Sequence, residues 1–233
     1  MDGEGNPSQG PWGESLKSIL REYAESLIIA MIIAFSLRYF VITTYYVNVQ
    51  SMLPQYLQGD FIVGYKPPHG FAIPFSSEKW AIGEPIRGEV VIIQCPTDVS
   101  QHCLKRIIGI PGDRVEFQKG RLIVNGIPAE YQKIPTKGSQ ELWKESSLGR
   151  SRTVILADSS KEDPAPLIVP PGHVYVLGDH RKASHDSRTW GPVEVAGLEA
   201  RPLMIWLSVD WEHPDSKDLF PKVRWSRLFS RLD

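Results

Sequence analysis

The sequence predicts an all-β body of antiparallel sheet, with a smaller inserted β lobe, behind one N-terminal transmembrane helix. Three observations carry that expectation. After residue 47 the apolar segments are short, β-branched or alternating, which is the pattern of half-buried strands. Turn-forming residues punctuate them, and Gly and Pro number 19 each. Only one stretch, close to the N-terminus, is apolar enough to be a membrane helix.

Residues 1–16 are polar and contain Gly and Pro, which predicts a disordered start. The charged stretch Lys17 to Glu25 leads into the apolar run Leu27 to Leu37. Arg38 interrupts the run, and Tyr39-Phe-Val-Ile42 resumes it. The strict run falls short of the ~20 residues a bilayer needs. Counted from Tyr23 to Tyr45, it is long enough. Arg38 then stands near one end, where its head can snorkel to the interface. Tyr39, Tyr45 and Tyr46 fall where an aromatic belt belongs. A cleavable signal peptide would carry its basic residues nearer the start and a small-residue cleavage site after the run, which the Tyr-rich flank fits poorly. A buried core helix is the other alternative, and nothing before residue 17 is able to cover it. Lys17 and Arg21 precede the run, and no Lys or Arg follows Arg38 until Lys66. The positive-inside tendency therefore puts the N-terminus in the cytoplasm and the body outside. The expected segments are a tail at 1–22, the membrane helix at 23–45 and the first part of a β-domain at 46–126. A variable insertion or second lobe at 127–169 follows, then the second part of the β-domain at 170–233.

Within the body, Asp60–Val63, Glu89–Gln94, Arg114–Phe117 and Arg121–Val124 read as strands, as do His173–Leu177 and Leu203–Leu207. Asn125-Gly126 is a strong hairpin-turn dipeptide. Further turns are marked at Arg87-Gly88, Pro111–Asp113 and Pro170–Gly172. Residues 127–169 are more polar and irregular. The charges balance, 26 basic against 27 acidic, so no basic stripe points to nucleic acid. Cys95 and Cys103 flank a turn-rich segment. A disulfide is possible there if two antiparallel strands meet, and would imply an oxidising compartment; two free thiols are the equal alternative.

A serine nucleophile needs a base to take its proton, and histidine is the usual one. Six histidines are available, but there is no G-x-S-x-G elbow. A metal reading of His180, His185 and Asp179 lacks H-E-x-x-H and any cysteine knuckle. Neither a metal nor a cofactor is expected. A more informative constellation is Ser51-Met-Leu-Pro54, then Lys105-Arg-Ile-Ile-Gly-Ile-Pro-Gly-Asp113, then the box Gly178 to Gly191. Gly59-Asp60, Arg87-Gly-Glu-Val-Val91 and Trp225-Ser-Arg227 accompany it.

These segments resemble the successive boxes of type I signal peptidases, the Ser-Lys membrane proteases. The resemblance spans residue 20 to the C-terminus, apart from 127–169. It implies an antiparallel catalytic β-domain with a variable β-domain inserted. It also implies the removal of signal peptides from exported preproteins, after small residues in an A-x-A pattern. Location in the bacterial cytoplasmic (inner) membrane, with the catalytic domain on the outer side, comes with it; the partners are exported preproteins and the lipid bilayer. Ser51 takes the nucleophile position and Lys105 that of the general base. Ser184 takes the position of a serine that hydrogen-bonds the lysine, and Asp179, Asp186 and Arg188 match positions that hold the site together. Met52, Tyr56 and Leu104 are the expected pocket residues. The chain departs from the pattern in four places. Val49 stands where many members have a serine that donates to the oxyanion, and Tyr56 where a leucine is usual. His180 and Lys182 alter the last box, and Glu89 replaces an aspartate. These departures fit a specialised paralogue. A dedicated processing peptidase with few substrates and a silent signal-sequence-binding membrane protein are the alternative functions.

Physical chemistry asks one thing of such a site. A solvated lysine, with a pKa near 10.4, is no base at neutral pH. Desolvation disfavours its charged form and lowers that value. Alternation along a strand turns Lys105 away from Leu104, so the burial has to come from elsewhere in the fold.

Overall fold

The structure is a computed structural model that describes residues 11–69, 71–72, 79–80, 83–136, 140–156, 163–210 and 221–231. It divides into two compact units, one ending at Val41 and one running from Ile42.

The first unit is a single helix, α1 (Pro11–Phe40). Proline suits the first helical position, where its missing N–H leaves no bond unmade. No Gly or Pro interrupts residues 14–40, so the helix runs back beyond its apolar part. Residues 11–16 are therefore helical, contrary to the expected disorder; residues 1–10 lie outside the described residues. From Ile19 to Phe40 the helix is long and apolar enough to cross a membrane, and that stretch has no cover in the structure. Its 22 residues span about 33 Å, against ~30 Å of hydrocarbon. The helix stops at Phe40, so the expected 23–45 segment needs correcting at its end: Ile42–Tyr46 is a strand. The reason is local. Val41-Ile-Thr-Thr44 is β-branched throughout, which favours a pleated strand over another helical turn.

The second unit is all-β and antiparallel. Seven strands make its main sheet: β1 (Ile42–Tyr46), β2 (Asp60–Tyr65), β3 (Val90–Cys95), β4 (Asp98–Gly109), β5 (His173–Leu177), β6 (Val193–Glu194) and β7 (Leu198–Asp210). Their order is β1-β2-β7-β3-β4-β5-β6. Lys222–Val223 and Ser230–Arg231 add short pairings to β7. β3 is buried along nearly its whole length, as expected of an apolar run near the centre of a sheet. Cys95 and Cys103 are joined, with their Cα atoms 5.2 Å apart, so a disulfide staples the β3–β4 hairpin.

The 127–169 region is more regular than its sequence predicts. Glu130–Ile134, Leu142–Ser147 and Arg150–Val154 form a three-stranded sheet. Its sequence hides this because its faces carry few apolar residues; its fully buried side chain at the centre is Glu145. A separate four-stranded sheet joins Leu167–Ile168, Arg114–Gln118, Arg121–Val124 and Ile127–Pro128. That sheet lies on both sides of the boundary expected at 126. Its hairpin turns at Asn125 and Gly126, both in the left-handed region at φ 54° and 77°, as a tight two-residue turn requires.

Three apolar clusters fill the unit. One gathers Val47, Met52, Tyr56, Ile62, Ile92, Leu104 and Ile205. A second packs Val91, Ile93, Ile107, Val174 and Leu198. The third joins Ile108 and Leu177 to the 114–124 hairpin. A polar knot ties the inserted sheet to the Gly178 box. Glu145 accepts from Arg152 Nε at 2.7 Å, Arg181 Nη2 at 2.8 Å and the Tyr131 hydroxyl at 2.7 Å. Backbone bonds reinforce it: Ile155 N–H donates to Asp179 O, and Arg181 N–H donates to Ile155 O.

Burial alone would raise the Glu145 pKa, but the charges of Arg181 and Arg152 outweigh it and hold the carboxyl at about 2. Its folded pKa lies below the ordinary 4.5. The stability it contributes is therefore complete above that value and is lost as pH falls toward 2. Replacing Glu145 with alanine strands two buried guanidinium groups. The Glu145→Ala variant is expected to lose about 3–5 kcal/mol, read from the urea midpoint of the detergent-solubilised protein. An unshifted midpoint would count against the knot as a structural tie.

Candidate active site

Ser51 sits in the loop between β1 and β2. The loop is closed at its base, where Val47 N–H donates to Asp60 O and Gly59 N–H donates to Val47 O. It is also gripped from behind. Asp60 is fully buried and accepts from Ser208 Oγ at 2.6 Å and Arg227 Nη2 at 2.6 Å. Arg227 Nη2 also donates to Gln55 O, and Arg224 donates to Gln58 O. The Trp225-Ser-Arg227 ending thus clamps the loop that carries Ser51.

Lys105 comes from β4, opposite Val91 on β3. It is 2% exposed and Ser51 4%. Lys105 Nζ lies 2.9 Å from Ser51 Oγ, within hydrogen-bonding reach. Burial lowers the amine to about 8; Asp186 and Asp179 push it back up, and Arg188 pushes it down. The charge of each acid is largely claimed by an arginine. Arg106 donates to Asp179 from Nε at 2.9 Å and from Nη2 at 2.6 Å. Arg188 donates to Asp186 from Nε and Nη2, both at 2.8 Å. Burial raises the Asp186 pKa, but the Arg188 bonds and the Gly178 N–H outweigh it and hold the carboxyl low. Lys105 is thus desolvated without a carboxylate partner of its own among the described residues.

The Gly178–Gly191 box reaches the serine loop through its backbone. His180 N–H donates to Ser51 O at 3.0 Å, and the His180 ring nitrogen Nδ1 lies 3.1 Å from Gln50 O. Sequence reasoning set His180 apart only as a departure or a metal ligand; here its ring holds the residue before Ser51. It missed Arg106 as well. That guanidinium joins Asp179, Gly88 O and the Gln55 side chain, so three loops meet at one side chain. Its position directly after Lys105 was the available signal, because neighbours on a strand face opposite ways. Ser184 behaves differently from the resemblance. Among the described residues its buried Oγ makes no hydrogen bond to Lys105; Gly178 and Asp186 are its near neighbours. Val49 is 41% exposed. Met52, Tyr56 and Leu104 come together in one buried apolar cluster beside the Ser51 loop. The Ser51 N–H has no acceptor among the described residues, which leaves a backbone donor beside the hydroxyl.

Comparison with known proteins bears on this geometry. Residues 20–207 match the family described as signal peptidase, peptidase S26. This chain belongs to that family. It is 31% identical to the signal peptidase I of Pseudomonas aeruginosa over 220 residues, covering 86% of this chain and 76% of the relative. It is 31% identical to the signal peptidase I of Pseudomonas fluorescens, over 84% of this chain and 75% of the relative. A crystal structure of a signal peptidase I from Enterococcus faecalis V583 is 26% identical; the match covers 52% of this chain and 98% of that one, with a TM-score of 0.35. Membership in the signal peptidase family makes the chain a peptidase of the kind that removes signal peptides.

One glycine at this site has a steric reason. A Cβ on Gly178 would fall 2.2 Å from Ser184 Oγ and 2.5 Å from Ser51 O. Neither distance is tolerable, and the second involves the backbone of the serine loop. Gly178→Ala is expected to displace Ser51 from Lys105 and to lower kcat/KM on a signal-peptide substrate about 100-fold. Undiminished cleavage by that variant would show that the box and the loop move apart without cost.

Proposed function

We infer that this chain is a membrane-bound serine endopeptidase that removes N-terminal signal peptides from exported preproteins, with Ser51 as nucleophile and Lys105 as general base. The observation that carries the reading is the 2.9 Å approach of Lys105 Nζ to Ser51 Oγ at a site where burial lowers the amine to about 8. At pH 7 about one lysine in ten is then neutral, enough to act as a base. The neutral amine takes the Ser51 proton as Oγ attacks the scissile carbonyl. The Ser51 N–H donates to the oxyanion. Lys105 returns the proton to the leaving amine, and water then releases the acyl group by the same route in reverse.

The substrate approaches as an extended strand. Among the described residues β5 pairs with β4 only at Arg106, Ile107 and Gly109, which leaves the edge of β4 unpaired there from Lys105 back to His102. β1 is the outermost strand of the sheet among the described residues, so its far edge is unpaired there as well. Tyr45 of β1 and His102 of β4 touch ring to ring, with centroids 5.1 Å apart. The two edges thus approach each other over the cluster of Met52, Tyr56 and Leu104. A peptide between them gains main-chain hydrogen bonds, and its inward side chains meet an apolar floor. Asp179, Asp186 and Arg188 hold the loops in register, and Ser184 lines the wall beside Gly178.

The α1 helix is the anchor, with the N-terminus cytoplasmic and the sheet on the outer face of the bacterial inner membrane. The Cys95–Cys103 bond supports that side, since disulfides persist in oxidising compartments.

The test is the pH dependence of kcat/KM for a preprotein in detergent. The base works only when neutral, so the rate is expected to rise with pH and level off above about 8. Ser51→Ala and Lys105→Ala are each expected to abolish turnover. Cleavage that survives either substitution would sink the mechanism.

A further inference from the structure

The floor of the peptide channel is apolar near Ser51 but not throughout. At its outer end stand three polar groups from three different strands: Tyr45 of β1, His102 of β4 and Glu199 of β7. Glu199 Oε2 lies 2.9 Å from His102 Nε2 and accepts from the Tyr45 hydroxyl at 3.3 Å. Burial, and then the charge of Glu199, push the Tyr45 hydroxyl pKa up, so it stays protonated and remains a donor. The second carboxylate oxygen, Oε1, has no partner among the described residues, and it is not sealed from solvent. The Glu199 side chain is 17% exposed and that of His102 is 47% exposed. The carboxylate thus sets one oxygen beside Tyr45 and His102 and presents the other.

Strand spacing says which substrate residue meets it. Leu104 and His102 are two residues apart on β4 and so share a face, about 7 Å from each other along the strand. Leu104 belongs to the apolar cluster with Met52, next to the Ser51–Lys105 pair. An extended substrate has the same period. For a substrate that runs in the same direction as β4, with its residue at the scissile bond over Leu104, the residue two positions earlier lies over His102 and Glu199.

We propose that Glu199, flanked by His102 and Tyr45, forms a subsite that accepts a cationic side chain, lysine or arginine, two residues before the residue at the scissile bond. This rests on the peptidase reading above and narrows it. The family pattern implies a small residue at that place, so this chain would take a restricted set of preproteins. The free oxygen accepts the ammonium or guanidinium N–H, and the apolar walls of the channel cover the aliphatic stem.

The experiment uses the full chain in detergent and a set of peptides identical except at that position, which carries Arg, Ala or Glu. The wild-type protein is expected to cleave the Arg peptide with a kcat/KM about fivefold above that of the Ala peptide, and the Glu peptide more slowly than either. In Glu199→Gln the Arg-to-Ala ratio is expected to fall to near one. Equal rates on the Arg and Ala peptides in the wild-type protein overturn the subsite without recourse to any variant. A Glu199→Gln protein that keeps the wild-type ratio also overturns it, since the carboxylate would then not be the selecting group. Loss of Ser51-dependent cleavage on every peptide is a different failure, because it removes the peptidase mechanism itself.

Discussion

The Ser51–Lys105 pair depends on keeping an amine dry without giving it a counter-ion. Proteins ordinarily avoid this, because a buried cation is costly unless paired. Here the nearby acids are occupied elsewhere: Asp179 by Arg106, and Asp186 by Arg188. Were either arginine lost, its carboxylate would turn its field on Lys105 and favour the ammonium over the neutral amine. The two arginines therefore act on Lys105 at a distance, by neutralising carboxylates that would otherwise stabilise its ammonium form. Those acids in turn fix the loops: Asp179 ties Arg106 to the Gly178 box, and Asp186 receives the Gly178 N–H.

Much of this could be read from the chain, for physical reasons that differ from part to part. The strands of the body declared themselves because they bury β-branched residues on at least one face. β1 did not, because its Ile42 continues an apolar run that a membrane helix also needs. The β-branched residues that end the helix were present, but apolarity is the louder signal. The inserted sheet was hidden for the opposite reason. Its strands carry few apolar residues and are held by cross-strand bonds and by Glu145 more than by a continuous apolar core.

Ser51 and Lys105 were legible from the order of the boxes around them. The groups that hold them were less so. His180 looked like an anomaly in its box, and only the fold shows its ring against Gln50 O. Glu199 carried no signal at all, since a single acid in a long strand reads as a solvated side chain. Its partners come from positions 45 and 102, and no linear spacing connects the three. Ser184 shows the reverse case. The box predicts a hydrogen bond to the lysine, and the structure leaves its hydroxyl buried beside Gly178 instead.

The Glu145–Arg181 contact also limits how the chain can be rebuilt. An insertion of low apolar content looks like a cassette that could be exchanged or trimmed. Here it supplies the counter-ion for a fully buried arginine in the box that touches Ser51. Any transplanted lobe would have to bring an acid to that same point, and a simple deletion would remove one. The insertion is thus not modular. Its length and surface are free to drift, while one glutamate inside it is bound to the fate of the site.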